Sequence, residues 1–192
     1  FTLTGTDTGT ATGVALGFTH VENLTGGNLN DTLIITGGSI AGTFRGEAGI
    51  DLLRADNLAN VFGTIGPNTG FVNGVGLFVG VETLHGGSMP DRFVLYNGPF
   101  QGEIDGQADS DSIVAFNLPT IFNLTGTDAG DVGGSTTFSN IEHLRGGTND
   151  DEFHVLGGTL TGDLDGGDGV DTLFADDTPN TFEITGIDAG TL

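Results

Sequence analysis

The segments Val21-Glu22-Asn23-Leu24, Val81-Glu82-Thr83-Leu84 and Ile141-Glu142-His143-Leu144 are copies of one short pattern, set 60 residues apart. Working outward, Phe18, Phe78 and Phe138 keep the same spacing, as do Asp51, Asp111 and Asp171. Phe1, Phe62, Phe122 and Phe182 are spaced 61, 60 and 60, which puts one extra residue between Phe1 and Phe18. A fixed period of this kind marks a stack of similar units in which each unit completes its core only against its neighbours.

A shorter period lies inside the first. Steps of 20 from Gly26 reach Gly46, Gly66, Gly86, Gly106, Gly126, Gly146, Gly166 and Gly186. Two residues earlier the same step gives Leu24, Phe44, Thr64, Leu84, Ile104, Leu124, Leu144, Leu164 and Ile184, apolar except at Thr64. Twenty residues are too few for a helix-pair repeat or a propeller blade, and suit one coil of a β-helix with about three short strands and their corners. In Asp151-Glu152-Phe153-His154-Val155 the apolar residues alternate with polar ones, as in a strand with one buried face. Gly-Gly, Gly-Thr-Asp and Pro-Asn clusters read as corners, and no segment sustains a 3.6-residue apolar period. The expectation is therefore an all-β chain: a right-handed parallel β-helix (β-solenoid) with about 20 residues per coil and three coils per 60-residue repeat. Handedness follows from the general rule for parallel crossovers. A single continuous solenoid spans 1–192, with repeats at 1–61, 62–121 and 122–181 and the start of a further repeat at 182–192. Coils ~4.8 Å apart would make a rod ~45 Å long.

One unit in three is looser. The segments after Leu3, Thr64 and Leu124 are rich in Gly and Thr and poor in apolar residues. A wide turn is the plain reading there, and a binding surface is the functional one.

Composition fits short strands joined by many turns: 36 of 192 residues are Gly, yet Phe, Leu, Ile and Val remain abundant. There are 26 acidic residues against four basic ones, Arg45, Arg54, Arg92 and Arg145, with no Lys and a net charge of −22. Such a surface repels phosphate backbones and anionic lipid, so nucleic acid and direct membrane insertion are excluded as partner classes. It attracts cations, chiefly Ca²⁺ outside cells. Cys is absent, which excludes disulfides and thiolate metal sites. No run of 18 apolar residues exists, and Phe1-Thr2-Leu3-Thr4 is no signal peptide. The chain reads as a piece of a longer array whose first partners are flanking repeats of the same polypeptide.

The strongest chemical signal is acidic. Five residues beyond the ladder glycines stand Asp31, Asp51, Asp91, Asp111, Asp131, Asp151 and Asp171, interrupted by Phe71 and Thr191. Stacked carboxylates repel unless something compensates. Either each accepts backbone N–H bonds within its corner, or neighbouring coils share Ca²⁺.

Gly166-Gly167-Asp168-Gly169-Val170-Asp171-Thr172-Leu173-Phe174 resembles the glycine- and aspartate-rich nonapeptide of calcium-binding RTX rolls, where turns bind Ca²⁺ between coils. The resemblance implies a calcium site near Asp150, Asp151, Asp168 and Asp171, and calcium as the one cofactor to consider; none is required. Gly46-Glu47-Ala48-Gly49-Ile50-Asp51 and Gly106-Gln107-Ala108-Asp109-Ser110-Asp111 each lack one Gly of that pattern, and Gly86-Gly87-Ser88-Met89-Pro90-Asp91 departs further. The 60-residue pattern as a whole resembles the repeat (stalk) regions of very large bacterial surface and biofilm-matrix adhesins, filamentous-haemagglutinin-like and exported by two-partner secretion. That resemblance implies a secreted protein at the cell surface or in the biofilm matrix of a Gram-negative bacterium. Its partners would be extracellular polysaccharide or cell-surface components. The alternatives are a calcium-binding RTX-like solenoid and, further off, a polysaccharide-degrading β-helix enzyme.

Catalysis has little support in the residues. The acids recur with the repeat, as structural corners do, no Lys offers a base, and His20, His85, His143 and His154 share no frame position. The expectation is no enzyme. The 20-residue step also pairs Arg145 with Asp165 and His85 with Asp105 as surface ion pairs between coils, worth ~0–1 kcal/mol each. An ice-binding face is excluded, because the step from Thr25 leads to Arg45, Ile65 and His85 rather than to a row of Thr.

Overall fold

The computed structural model describes residues 1–115, 117–186 and 189–191, with backbone alone for 184–186 and 189–191. Within the further repeat expected at 182–192, positions 187, 188 and 192 and the side chain of Ile184 lie outside the described residues. Among the described residues every regular element is a strand.

Each repeat opens with an antiparallel meander and continues as single strands. The first meander is β1 (Thr2–Gly5), β2 (Thr8–Ala11) and β3 (Val14–Thr19). It is followed by β4 (Leu24–Thr25), β5 (Thr32–Ile35), β6 (Ile40–Arg45) and β7 (Leu52–Arg54). The second meander is β8 (Val61–Gly66), β9 (Thr69–Val72) and β10 (Val75–Val79). After it come β11 (Thr83–Gly87), β12 (Arg92–Leu95), β13 (Gly102–Gln107) and β14 (Ser112–Ala115). The third is β15 (Ile121–Gly126), β16 (Ala129–Val132) and β17 (Thr136–Ser139). It leads to β18 (His143–Gly147), β19 (Glu152–Val155), β20 (Leu164–Gly167) and β21 (Thr172–Phe174). A last hairpin joins β22 (Glu183–Gly186) to β23 (Ala189–Thr191).

The strands stack into two large, mostly parallel sheets. One has twelve strands, in the order β21-β19-β15-β16-β17-β13-β11-β7-β5-β1-β2-β3. The other has nine, in the order β20-β18-β14-β12-β8-β9-β10-β6-β4. After every pass the chain crosses from one sheet to the other, so a full circuit contains two strands rather than the three expected from the sequence. Twelve strands at ~4.8 Å give a stack ~53 Å long.

The register shows where the expected 20-residue step holds. Leu33 pairs with Leu53, Leu84 with Ile104, Phe93 with Ile113 and Leu144 with Leu164, each 20 apart. Across the meanders the step lengthens: Phe62 pairs with Phe93 and Phe122 with Phe153, 31 apart. The looser third unit is therefore no coil. Its two outer strands continue the parallel stack while the middle strand runs antiparallel between them, so one pass fills three rungs of one sheet. The first turn of each meander needs a left-handed residue, supplied by Asp7, Asn68 and Asp128 with φ of 49°, 50° and 50°.

Phenylalanine closes each meander. Phe18, Phe78 and Phe138 face Gly9, Gly70 and Gly130 across the antiparallel pair, and a Cβ on any of those glycines would overlap the ring. The extra residue of the first repeat lies here, since Gly9 and Phe18 are one residue further apart in sequence than Gly70 and Phe78. The β2–β3 register breaks between Gly9 and Ala11 to absorb it.

The core runs between the sheets. Leu24, Phe44, Leu84, Ile104, Leu124 and Leu144 of the apolar row are all buried. Phe62 stacks on Phe93 with ring centroids 4.6 Å apart, and Phe122 on Phe153 at 4.9 Å. Burying each such side chain contributes about 1.5–3 kcal/mol. Thr64, the exception in the row, is also buried, with its hydroxyl unpartnered.

One meander and four single strands make five passes, an odd number. Successive meanders consequently fall on opposite sheets: β1–β3 and β15–β17 in the twelve-stranded sheet, β8–β10 in the nine-stranded one.

Candidate functional site

The corners between sheets carry the acidic residues, and there the Gly and Asp rows prove to be one device. Each ladder Asp, Asp131 apart, folds its carboxylate back over the bare Cα of the glycine five residues before it. A Cβ on Gly26, Gly46, Gly86, Gly106, Gly146 or Gly166 would overlap Oδ2 of Asp31, Asp51, Asp91, Asp111, Asp151 or Asp171 respectively. The other oxygen reaches the neighbouring rung. Oδ1 of Asp51 accepts the backbone N–H of Asp31 at 2.7 Å, Asp111 that of Asp91 at 2.7 Å, and Asp171 that of Asp151 at 2.9 Å. Across meanders the donors are Asn60 to Asp91 and Thr120 to Asp151, both at 2.7 Å. The first compensation weighed from the sequence is present in altered form: the carboxylates accept backbone N–H bonds, but mostly from the next coil rather than their own corner.

Glutamates complete the ladder where the next residue in line is not Asp. The N–H of Asp51 donates to Glu82 Oε2 at 2.9 Å, and that of Asp111 to Glu142 Oε2 at 2.7 Å. Sequence reasoning used Glu82 and Glu142 only as repeat markers. Their position two residues before the apolar row was the available signal.

The corners fall into two kinds. At Asp31 and Asp91, the N–H of Gly27 or Gly87 donates to Oδ2 at 2.6 Å. At Asp51, Asp111 and Asp151 the corresponding residue, Glu47, Gln107 or Gly147, has φ of 73°, 77° or 137° and donates no hydrogen bond to Oδ2. Oδ2 of those three is buried without a partner. Burial is the main cause that raises the Asp51, Asp91 and Asp151 carboxyls above their ordinary value, and it pushes Asp111 up to about 7.

Of the residues expected near a calcium site, the structure brings Asp151 and Asp171 together as consecutive rungs. Asp150 and Asp168 sit on the exposed side of their corners, where Asp150 Oδ1 accepts the Val170 N–H at 2.9 Å. Among the described residues no three His, Asp or Glu side chains gather as a metal-binding group. Asp131 is not a corner residue, contrary to its place in the Asp row. It lies in the middle strand of the third meander, where its Oδ1 accepts from Asn123 Nδ2 at 2.9 Å and from the Gly134 N–H at 2.8 Å.

The structure also joins Ser110, His143 and Asp163, a grouping invisible in the sequence. Ser110 Oγ lies 2.8 Å from His143 Nε2, and His143 Nδ1 lies 3.7 Å from Asp163 Oδ2. The Asp163 N–H donates to Nδ1 at 3.0 Å, so Nδ1 is the bare nitrogen of the neutral ring and Nε2 carries the hydrogen. Nε2 then donates to Ser110, the reverse of what proton abstraction from a serine needs. The two ion pairs expected on the surface are present, Arg145 Nε to Asp165 Oδ2 at 3.2 Å and His85 Nε2 to Asp105 Oδ2 at 4.0 Å.

Outside the core the sheets differ. On the outer face of the nine-stranded sheet, Phe71, Gly63, Val94 and Val114 pair in one row across four strands. Phe71 lies over Gly63 and beside Tyr96, with ring centroids 6.0 Å apart at 32°. The same positions one repeat later are Asp131, Asn123, His154 and Phe174 in the twelve-stranded sheet.

Compared with protein-family models, with curated proteins and with solved structures, the chain matches none.

Proposed function

We propose that this chain is a stalk segment of a large secreted bacterial adhesin, a right-handed parallel β-helix whose plain coils take about 20 residues. In this reading it acts at the cell surface or in the biofilm matrix and serves by reach and stiffness. The observation that supports it is the carboxylate ladder. Side chains tie the backbone of rung after rung along the corners, a use of repeated acids that makes a rod and consumes the groups a catalytic site would need. The half-buried rings of Phe71 and Tyr96 form the surface we assign to weak contact with extracellular polysaccharide, since flat apolar rings suit the C–H faces of sugars.

Tandem chains of one, two and four 60-residue repeats test the stalk. Two repeats add seven rungs to each sheet, so small-angle scattering should show a growth of about 17 Å per repeat at a constant cross-section. Compact particles that thicken instead would sink the reading. For the contact, Phe71→Ala and Tyr96→Ala should weaken retention on immobilised matrix polysaccharide without lowering the melting temperature by more than a few degrees. Addition of Ca²⁺ or chelator should leave melting unchanged; a large shift would favour the calcium-dependent solenoid.

A further inference from the structure

Asp51 and Asp111 occupy the same position in successive repeats, and both are 0 % exposed. In each, Oδ1 takes one backbone N–H from the neighbouring rung while Oδ2 has no donor. The cause is local. Glu47 and Gln107 adopt the left-handed region, and Gln107 gives its N–H to Asp105 Oδ1 at 3.0 Å instead. Asp31 and Asp91 supply the contrast, since Gly27 and Gly87 lie outside that region and bond Oδ2.

A carbonyl acceptor shares the space beside Oδ2, as it does at Asp31 and Asp91, but here no N–H offsets it. Asp51 Oδ2 and the Gly80 carbonyl oxygen crowd the same space beside Gly46, and Asp111 Oδ2 and the Asn140 carbonyl oxygen crowd that beside Gly106. Two acceptors in one buried space repel when the carboxyl is ionised. A protonated carboxyl removes that charge and brings an O–H donor into the space. The rung on the other side adds a second carboxylate, Glu82 for Asp51 and Glu142 for Asp111.

We propose that Asp51 and Asp111 keep their protons in the folded chain at pH values where an ordinary aspartate is ionised, so that these two successive repeats each carry a proton-binding corner and the rod is tightest in mild acid. The groups facing Asp51 are Glu82 and Asp31. Those facing Asp111 are Asp91, Glu142 and Asp109, with His143 across the Ser110 hydroxyl. All but the histidine are acids, and their charge opposes ionisation of Asp51 and Asp111.

The sign follows from the folded value. Asp111 rises from an ordinary 3.8 to about 7, with burial ahead of its neighbours' charge as the cause. An acid held above its unfolded value binds its proton in the fold. Its stabilisation is complete below pH 3.8 and is lost as the pH rises through about 7. Between those limits Asp111 lowers the folding constant roughly tenfold per pH unit, and Asp51 acts in the same direction.

Thermal melting of the full chain from pH 5 to pH 8 tests this, with Asp51→Asn/Asp111→Asn as the partner variant. Asparagine keeps the shape, places an N–H where the acid holds its proton, and cannot ionise. The wild-type midpoint should fall as the pH rises, and the variant should show a shallower slope and melt no lower than wild type at pH 8. A wild-type midpoint that is flat or rises would overturn the proposal, as would a variant with the wild-type slope, which would assign the effect to His143 or other acids. If the variant does not fold, the infrared carbonyl stretch of a buried protonated carboxyl decides on wild type alone. It should be present at pH 6 and disappear toward pH 8, and its absence at pH 6 overturns the assignment.

Discussion

Gly106 and Gly66 stand in the same row of the sequence and do opposite things. At Gly106 the missing side chain is what lets Asp111 fold back and the Asn140 carbonyl approach. At Gly66 nothing lies within 4 Å of where a Cβ would stand, because the residue closes the first turn of a meander and no carboxylate returns over it. A plain corner uses glycine for space, and a meander turn uses it for a register shift. The row is regular in sequence because the two uses share a spacing, not because they share a cause.

The largest test of that contrast is Gly106→Ala. It drives a methyl group into a backbone carbonyl as well as a carboxylate, and should cost about 3 kcal/mol or more by chemical denaturation, at the upper end of overpacking effects. Next comes Asp91→Asn at neutral pH. Both Asp91 oxygens accept backbone N–H bonds, from Asn60 and Gly87, so one amide N–H must oppose a donor. The expected loss is about 1–3 kcal/mol. Asp111→Asn should show no such loss, and equal losses in the two variants would dissolve the distinction between the two kinds of corner. Asn60→Ala removes the Nδ2 bonds to the carbonyls of Asp56 and Leu58, 3.2 and 2.6 Å long, and should cost about 1 kcal/mol. Smallest is Gly66→Ala, expected within about 0.5 kcal/mol of wild type. A Gly66→Ala variant as damaged as Gly106→Ala would mean that the row has one role after all.

Much of this was readable from residue spacing alone. The 20-residue step placed Arg145 beside Asp165 and His85 beside Asp105, because plain strands pair without shifts. The apolar row found the core for the same reason. The meanders escaped because 20 residues fit a coil and a three-stranded fold-back equally well, and the turn residues Asp7, Asn68 and Asp128 look like any other corner. Phe71 held the clue. It breaks the Asp row where no corner exists, but Asp131 fills the same position in the next repeat and hides the difference. The grouping of Ser110 with His143 was beyond reach as well, since their separation is set by a 31-residue step that only the folded register reveals.

Five passes per repeat also make the rod a counter of parity. Whatever a repeat displays, the next copy displays on the other side, and the same side returns only after two copies, about 34 Å on. Gain or loss of whole repeats by recombination keeps this alternation intact however long the gene grows. Loss of a single strand pass does not: the copies before and after it would face the same way, although hardly a residue of either had changed.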